Sequence, residues 1–224
     1  MITYEEALAR LRANADETYR IFHKKLLKND AIELIGVRIP ILRALAKEWK
    51  NERGIFDFPN DYYEIGFLKC TLAGALPFEE FTARVDLLVD SLDNWATCDC
   101  FTAKCIASHK EEFLPYIERY LKSPKEFTRR YGLVALLHDY VTEEYLPVLF
   151  RAIKSVEEGA PYYVMMAAAW LLAEIFVKFY GQGLAFLEEN ALSPAVRNKG
   201  IQKARESFRL TSEQKNVLKS RKIR

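Results

Sequence analysis

Tyr162-Tyr163-Val164-Met165-Met166-Ala167-Ala168-Ala169-Trp170-Leu171-Leu172-Ala173 is the longest apolar run in the chain, and Glu174 stops it. A membrane-crossing helix needs about 20 such residues, so this run is too short to span a bilayer and reads as a buried helix. Tyr162, Met166 and Trp170 recur every four residues and form one stripe, and the alanines beside them let a neighbouring helix approach closely. An Ala-flanked aromatic stripe is usually core packing.

Outward from that run, apolar residues recur at spacings of three and four almost throughout, as in Leu8, Leu11, Ala15 and again in Phe81, Val85, Leu88, while strand signals are nearly absent. The fold class is therefore all-α. The spacing predicts helices over 3–13, 16–28, 40–50, 61–75, 78–91, 94–109, 111–121, 124–140, 143–156, 162–179, 183–190, 194–208 and 211–222, with a break at Gly54-Ile55-Phe56-Asp57-Phe58-Pro59-Asn60. From residue 59 onward the helices pair off. Each pair opens on a punctuating residue: Pro59/Asn60, Asp93/Asn94, Pro124, Pro161 and Pro194. The intervals of 34, 30, 37 and 33 residues are close to the period of stacked two-helix repeats of the HEAT class. The expected architecture is an α-α superhelix, a solenoid of degenerate HEAT-like helix pairs. No long linker interrupts it, so residues 1–224 are expected to form a single domain ending in a basic repeat at 193–224. One concave wall of such a stack suits an extended partner such as a duplex or a peptide.

Composition narrows the function classes. Half of the 224 residues are hydrophobic, enough for a substantial core. Met1-Ile2-Thr3-Tyr4-Glu5-Glu6 is acidic and lacks the apolar core of a secretory signal, so a cytoplasmic, reduced setting is expected for Cys70, Cys98, Cys100 and Cys105. The net charge of +2 hides an asymmetry, because residues 193–224 carry ten basic side chains against Glu206 and Glu213, a balance of +8, and residues 1–192 carry −6. A basic end of this kind suits a polyanion, most simply nucleic acid, or a solvated helix that keeps the chain soluble. Cys98, Cys105 and His109 lie near one helical face while Cys100 points elsewhere. A zinc site would need a fourth ligand from another helix, so no metal or cofactor is expected and the cysteines read as small buried hydrophobes. His23, His109 and His138 have no paired Ser or Cys, and no Gly-rich phosphate loop is present.

The chemistry-bearing stretch is Asp93-Asn94-Trp95-Ala96-Thr97-Cys98-Asp99. Asp93 or Asn94 can cap a helix, and Trp95, Asp99 and Thr102 would then share one face. An indole beside a carboxylate can hold a positive charge, through the ring quadrupole and through Coulomb attraction. On residue types alone, the plainer reading is favoured, with Trp95 a core residue and Asp99 a solvated helix position. Farther on, Arg130 borders the apolar stripe Phe127, Tyr131, Val134, where it could reach a phosphate, sit near Asp99, or snorkel to water.

The ordered set Gly36-Val37-Arg38-Ile39-Pro40…Leu42-Arg43, Trp95-x-x-x-Asp99, Arg130-Tyr131-Gly132-Leu133-Val134-Ala135-Leu136-Leu137, Ala169-Trp170-Leu171-Leu172 and Ser193-Pro194…Arg197-Asn198-Lys199-Gly200-Ile201 resembles the DNA alkylation repair family of HEAT-like-repeat glycosylases, over residues 35 to 209. The resemblance implies a repeat stack that wraps DNA and hydrolyses the N-glycosidic bond of N3- or N7-alkylated purines. It places the catalytic carboxylate on Asp99, the two sugar-contacting indoles on Trp95 and Trp170, and the partner arginine on Arg130. It makes Arg38, Arg43, Arg129, Arg197, Lys199 and Lys203 candidate DNA contacts. The expected partner is duplex DNA containing alkylated purines, bound by a monomer with no membrane attachment. The chain departs from some relatives at Asn94, where they have a second Trp, and at Ala173, where they have a basic residue. The same scaffold without catalysis, binding structured nucleic acid or a protein, is the other expectation.

Overall fold

Residues 1–189 and 191–223 are described by the computed structural model; Asn190, the expected end of one helix, and Arg224, counted in the basic tail, lie outside the described residues. The chain is all-α. Among the described residues it has no β-strand, only an isolated antiparallel bridge between Ala15 and Val37. None of the helices is long and apolar enough to cross a membrane among those residues. The chain divides into two compact units, Met1–His109 and Lys110–Arg224.

The first unit holds α1 (Tyr4–Arg12), α2 (Glu17–Leu27), α3 (Ile39–Glu48), α4 (Tyr63–Ala73), α5 (Phe78–Asp90) and α6 (Trp95–Cys100), with 3₁₀ turns at Arg53–Asp57 and Lys104–Ser108. Its starts follow local hydrogen-bond chemistry. Thr3 and Glu6 close a capping box on α1, and Asp16 accepts from Tyr19 N–H to open α2. Helix α4 is buried nearly all round and forms the centre against which α3, α5 and α6 pack.

A single carboxylate ties α4 to the loop ahead of α3. Glu64 is fully buried and accepts three backbone N–H groups, from Ile35 at 3.0 Å, Gly36 at 2.7 Å and Val37 at 3.1 Å. Gly36 makes that cradle possible. Its φ of +99° suits glycine, and a Cβ there would lie 2.7 Å from the Arg20 Cβ.

The second unit holds α7 (Lys110–Leu121), α8 (Glu126–Asp139), a 3₁₀ turn at Glu143–Tyr145, α9 (Leu146–Lys154), α10 (Tyr162–Lys178), α11 (Tyr180–Glu188), α12 (Pro194–Glu206) and α13 (Ser212–Ser220). Helices α8, α10 and α12 lie side by side in chain order, which is the repeated packing of helix pairs. The predicted punctuation at Asp93/Asn94, Pro124, Pro161 and Pro194 falls at or just ahead of α6, α8, α10 and α12.

Three expected helices differ. The helix expected over 94–109 ends at Cys100, because the chain turns at Phe101 (ψ 85°) to run across the end of α4. Gly74 permits this crossing, since a Cβ there would sit 2.1 Å from the Thr102 carbonyl oxygen, and the Gly74 carbonyl accepts from Lys104 N–H at 3.1 Å. The helix expected over 143–156 divides at Leu146, where Pro147 in the first turn of α9 has no N–H with which to continue the preceding turn. Helix α11 begins at Tyr180 rather than Gly183.

Replacing Glu64 by Ala leaves three buried N–H groups without their acceptor and should lower stability by about 3 kcal/mol. Chemical denaturation measures this, and Glu64→Gln, which keeps one oxygen in place, should lose less.

Candidate active site

Helix α6 has only six residues, too few to be stable by itself. Asn94 caps it, accepting from Thr97 N–H at 2.8 Å while its own amide donates to the Asp93 carboxylate at 2.8 Å. Asn94 is buried, so its amide is enclosed in the cap rather than offered to solvent. The end of α2 is stitched to the same point: Asn29 donates to the Asp93 carbonyl at 3.2 Å, and the Trp95 indole N–H donates to the Leu26 carbonyl at 3.2 Å.

Those bonds fix one edge of the Trp95 ring while leaving the residue half-buried. Asp99, one turn on, is half-buried as well. The pair therefore sits on one short, tied helix with access to solvent. Thr102, expected on that face, lies beyond the end of α6 and does not share it. Cys98 is buried and Cys105 partly so, but Cys100 is exposed, so the account of all these thiols as buried hydrophobes fails at Cys100. Desolvation around its sulfur raises the Cys100 thiol above the usual cysteine value, with Arg43 acting in the opposite sense. A thiol in that condition is protonated at neutral pH and is a poor nucleophile. No group of three or more His, Cys, Asp or Glu side chains suited to a metal ion occurs among the described residues.

In the second unit, Arg130 is buried on α8 rather than snorkelling. Its guanidinium donates to the Tyr163 carbonyl at 2.7 Å and lies 5.8 Å from the Tyr163 ring centre. Glu126 on the same helix accepts from Tyr163 N–H at 2.8 Å. Both contacts hold the first turn of α10 against α8. Along α10, Ala167, Ala168 and Ala169 are fully packed, yet Trp170 is 40 % exposed and Tyr162 59 %. The aromatic stripe is thus the outward face of a helix whose other sides are core, which reverses the expectation of core packing. One turn past Trp170, Ala173 is buried and Glu174 receives both guanidinium arms of Arg209, at 2.9 and 2.6 Å.

The family follows from most of the sequence. A family model described as DNA alkylation repair enzyme matches residues 7–204. The chain belongs to that family. No curated protein matches it in a whole-sequence comparison.

For a DNA alkylation repair enzyme the disposition of cations decides how the protein meets a phosphate backbone. Arg197, expected as a contact, is buried and donates to the Leu187 carbonyl at 2.8 Å and the Arg221 carbonyl at 2.9 Å, a strut between α11, α12 and α13. Arg129 is bidentate to Glu157, at 3.0 and 2.9 Å. Arg38 pairs with Asp16 at 2.7 Å but keeps more than half its side chain exposed. Lys199 and Lys203 are partly exposed on α12, Lys203 paired with Glu206 at 3.0 Å. Arg43 is exposed on α3, in line with Lys47 and Lys50 at helical spacing. That spacing was the available signal for the two lysines, which sequence reasoning passed over.

These bonds generate two expected outcomes. Asn94→Ala removes the side-chain cap of α6 and should cost about 1 kcal/mol in urea unfolding. The Arg129 guanidinium, with the backbone N–H of Glu157 itself, lowers the Glu157 carboxyl from 4.5 to about 2. A carboxyl lowered by folding stabilises the protein above its unfolded pKa and loses that effect as pH falls toward the folded value. Denaturant midpoints measured between pH 4.5 and about 2 should therefore fall less steeply in Glu157→Gln than in wild type.

Proposed function

We propose that this DNA alkylation repair enzyme is a glycosylase that hydrolyses the N-glycosidic bond of cationic N3- or N7-alkylpurines in duplex DNA. The observation that carries the reading is the pairing of Asp99 with Trp95 on α6, a helix whose caps leave that pair little freedom.

The chemistry matches the residue types. An N3- or N7-alkylpurine is already positively charged, so the base leaves as a neutral molecule when the bond from C1′ to nitrogen breaks, and no general acid is required. Positive charge moves onto the deoxyribose, and water then adds to C1′ and gives up a proton. A fixed carboxylate stabilises that cation more in the transition state than in the ground state, which is the condition for faster reaction. In this reading Asp99 supplies the charge and orients the water. Trp95 presents a ring face to the sugar, and with its N–H engaged by Leu26, only that face and its carbon edge remain for a ligand. In the second unit, Trp170 and Arg130 are the further indole and cation that the family resemblance names. Arg38, Arg43, Lys199 and Lys203 remain as phosphate contacts because they keep exposed side chain, whereas Arg197 is buried against backbone carbonyls and Arg129 is mostly covered with its guanidinium on Glu157.

The loss of Arg129 and Arg197 to partners within the chain is also the observation favouring a second reading, a non-catalytic scaffold for structured nucleic acid. Release of free 7-methylguanine and 3-methyladenine from alkylated duplex separates the two. Asp99→Asn should lower the single-turnover rate by about 10²-fold or more, and Trp95→Ala by roughly 5- to 30-fold. Equal release by wild type and Asp99→Asn would sink the glycosylase, and duplex binding with no release from wild type would establish the scaffold.

A further inference from the structure

A cleft of about 660 Å³ in the first unit lies between the second half of α3, the end of α4 and the segment after α6. Arg43, Lys47, Lys50, Arg53 and Lys104 line it, together with Cys100 and Thr102, and no carboxylate does. Arg53 is neutralised by Glu80 at 3.0 Å. The other four cations have no carboxylate at ion-pair distance among the described residues. Glu48, the acid nearest to them along α3, is taken by Arg10 at 3.0 Å.

This concentration of charge runs against its surroundings. Residues 1–109 carry fourteen Lys and Arg against seventeen Asp and Glu. The ends of α3 and α4 add roughly half a negative charge each, which leaves the cleft strongly positive. Holding like charges together without counter-charges is unfavourable for folding alone, so the arrangement points to an anionic occupant.

We propose that this cleft is a second DNA site, one that holds the phosphodiester backbone of the strand beyond the nucleotide facing Asp99. The spacing favours a strand over a single phosphate. Arg43 and Lys50 are seven residues apart, on α3 and the turn that follows it, about 10 Å along the helix axis. Phosphates follow one another about every 3.4 Å of duplex axis on each strand, so the row spans about three. Lys104 faces the row from the opposite wall, where the Thr102–Gly74 crossing puts it. Continuity with the proposed active site comes from α6: Cys100, at the cleft, follows Asp99 directly, with Cα atoms about 3.8 Å apart and side chains turned by about 100°. A strand presenting its sugar to Asp99 reaches the cleft within a few nucleotides. The proposal rests on the DNA-binding half of the proposed function and not on its chemical step.

Fluorescence anisotropy with an undamaged labelled duplex, titrated at several salt concentrations, tests it on full-length Lys47→Gln/Lys50→Gln/Lys104→Gln. These lysines are exposed, and an unchanged melting curve confirms folding; Lys104→Gln alone is the milder variant. The slope of log affinity against log salt should fall by about 0.9 for each phosphate that is no longer neutralised, about two to three units for the triple variant. Affinity near 0.1 M salt should drop at least about tenfold. A slope and affinity equal to wild type overturn the proposal. So does binding of thymidine monophosphate or inorganic phosphate that the triple variant loses but that leaves wild-type duplex binding intact, since that marks a small-anion pocket. Lesion release at saturating DNA reports separately on the glycosylase. Weakened duplex binding in the variant with no release from wild type leaves the cleft standing and removes the chemistry, and the converse result does the reverse.

Discussion

A six-residue helix fixed at both ends is the constraint on which the candidate site of the first unit depends. At its start, Asn94 closes the first turn and Asp93 orients Asn94, while Asn29 ties the same backbone to the end of α2. At its finish, the Thr102 carbonyl passes so close to Gly74 that any side chain there would collide with it. Neither end derives from the helix's own propensity. A turn and a half of helix has almost no intrinsic stability, so the surrounding structure fixes where Trp95, Asp99 and Cys100 point. The carboxylate side and one edge of the cationic cleft consequently meet on this element, at Asp99 and Cys100.

The arginines show a division of labour that charge counting does not reveal. Arg130 and Arg197 are buried and bond to carbonyls at 2.7 and 2.8 Å, holding α8 to α10 and α12 to its neighbours. Guanidinium suits this use, because it carries five donors in a rigid plane and keeps its charge when desolvated. Truncating either would leave carbonyls unsatisfied as well as remove a charge, so weaker DNA binding in such a variant would not by itself identify a phosphate contact. Lys47 and Lys50, on α3 and just past its end, are the opposite case. They are exposed, and their charge is directed to solvent rather than into the packing between helices.

Much of the fold was legible in periodicity and punctuation. Pro124, Pro161, Pro194 and the Asp93/Asn94 pair each announce a helix because capping and proline chemistry are local, and local chemistry is what a sequence displays. The stretch 94–109 departs from expectation for the complementary reason. Its residues are compatible with one long helix, and the break at Phe101 is imposed by packing across Gly74, some 27 residues earlier. The candidate site was legible in part. Trp95 and Asp99 at i and i+4 could be read from spacing, but the burial of Arg197 and the pairing of Arg129 with Glu157 depend on partners 10 to 28 residues away in sequence. Lys47 and Lys50 carried a helical signal, four and seven residues on from Arg43, that a total of charges over the acidic first part of the chain conceals.

The strongest argument that these surfaces serve a ligand comes from what stability alone would not favour. Helix α10 buries three consecutive alanines and both of its leucines, yet leaves the large indole of Trp170 and the ring of Tyr162 toward water. Trp95 remains half-buried although its N–H is already satisfied by Leu26. An isolated exposed apolar residue is ordinary on a protein surface. An indole whose polar atom is bonded to the protein differs, because its orientation has been fixed and its π face is what remains to meet a partner. Cations are the partners that such a face attracts beyond simple burial. The proposed reaction, whose substrate begins with positive charge on the base and passes it to the sugar, requires that property beside a carboxylate, and it requires the groups to be in place before charge moves, because reorganising them during the reaction would return the gain.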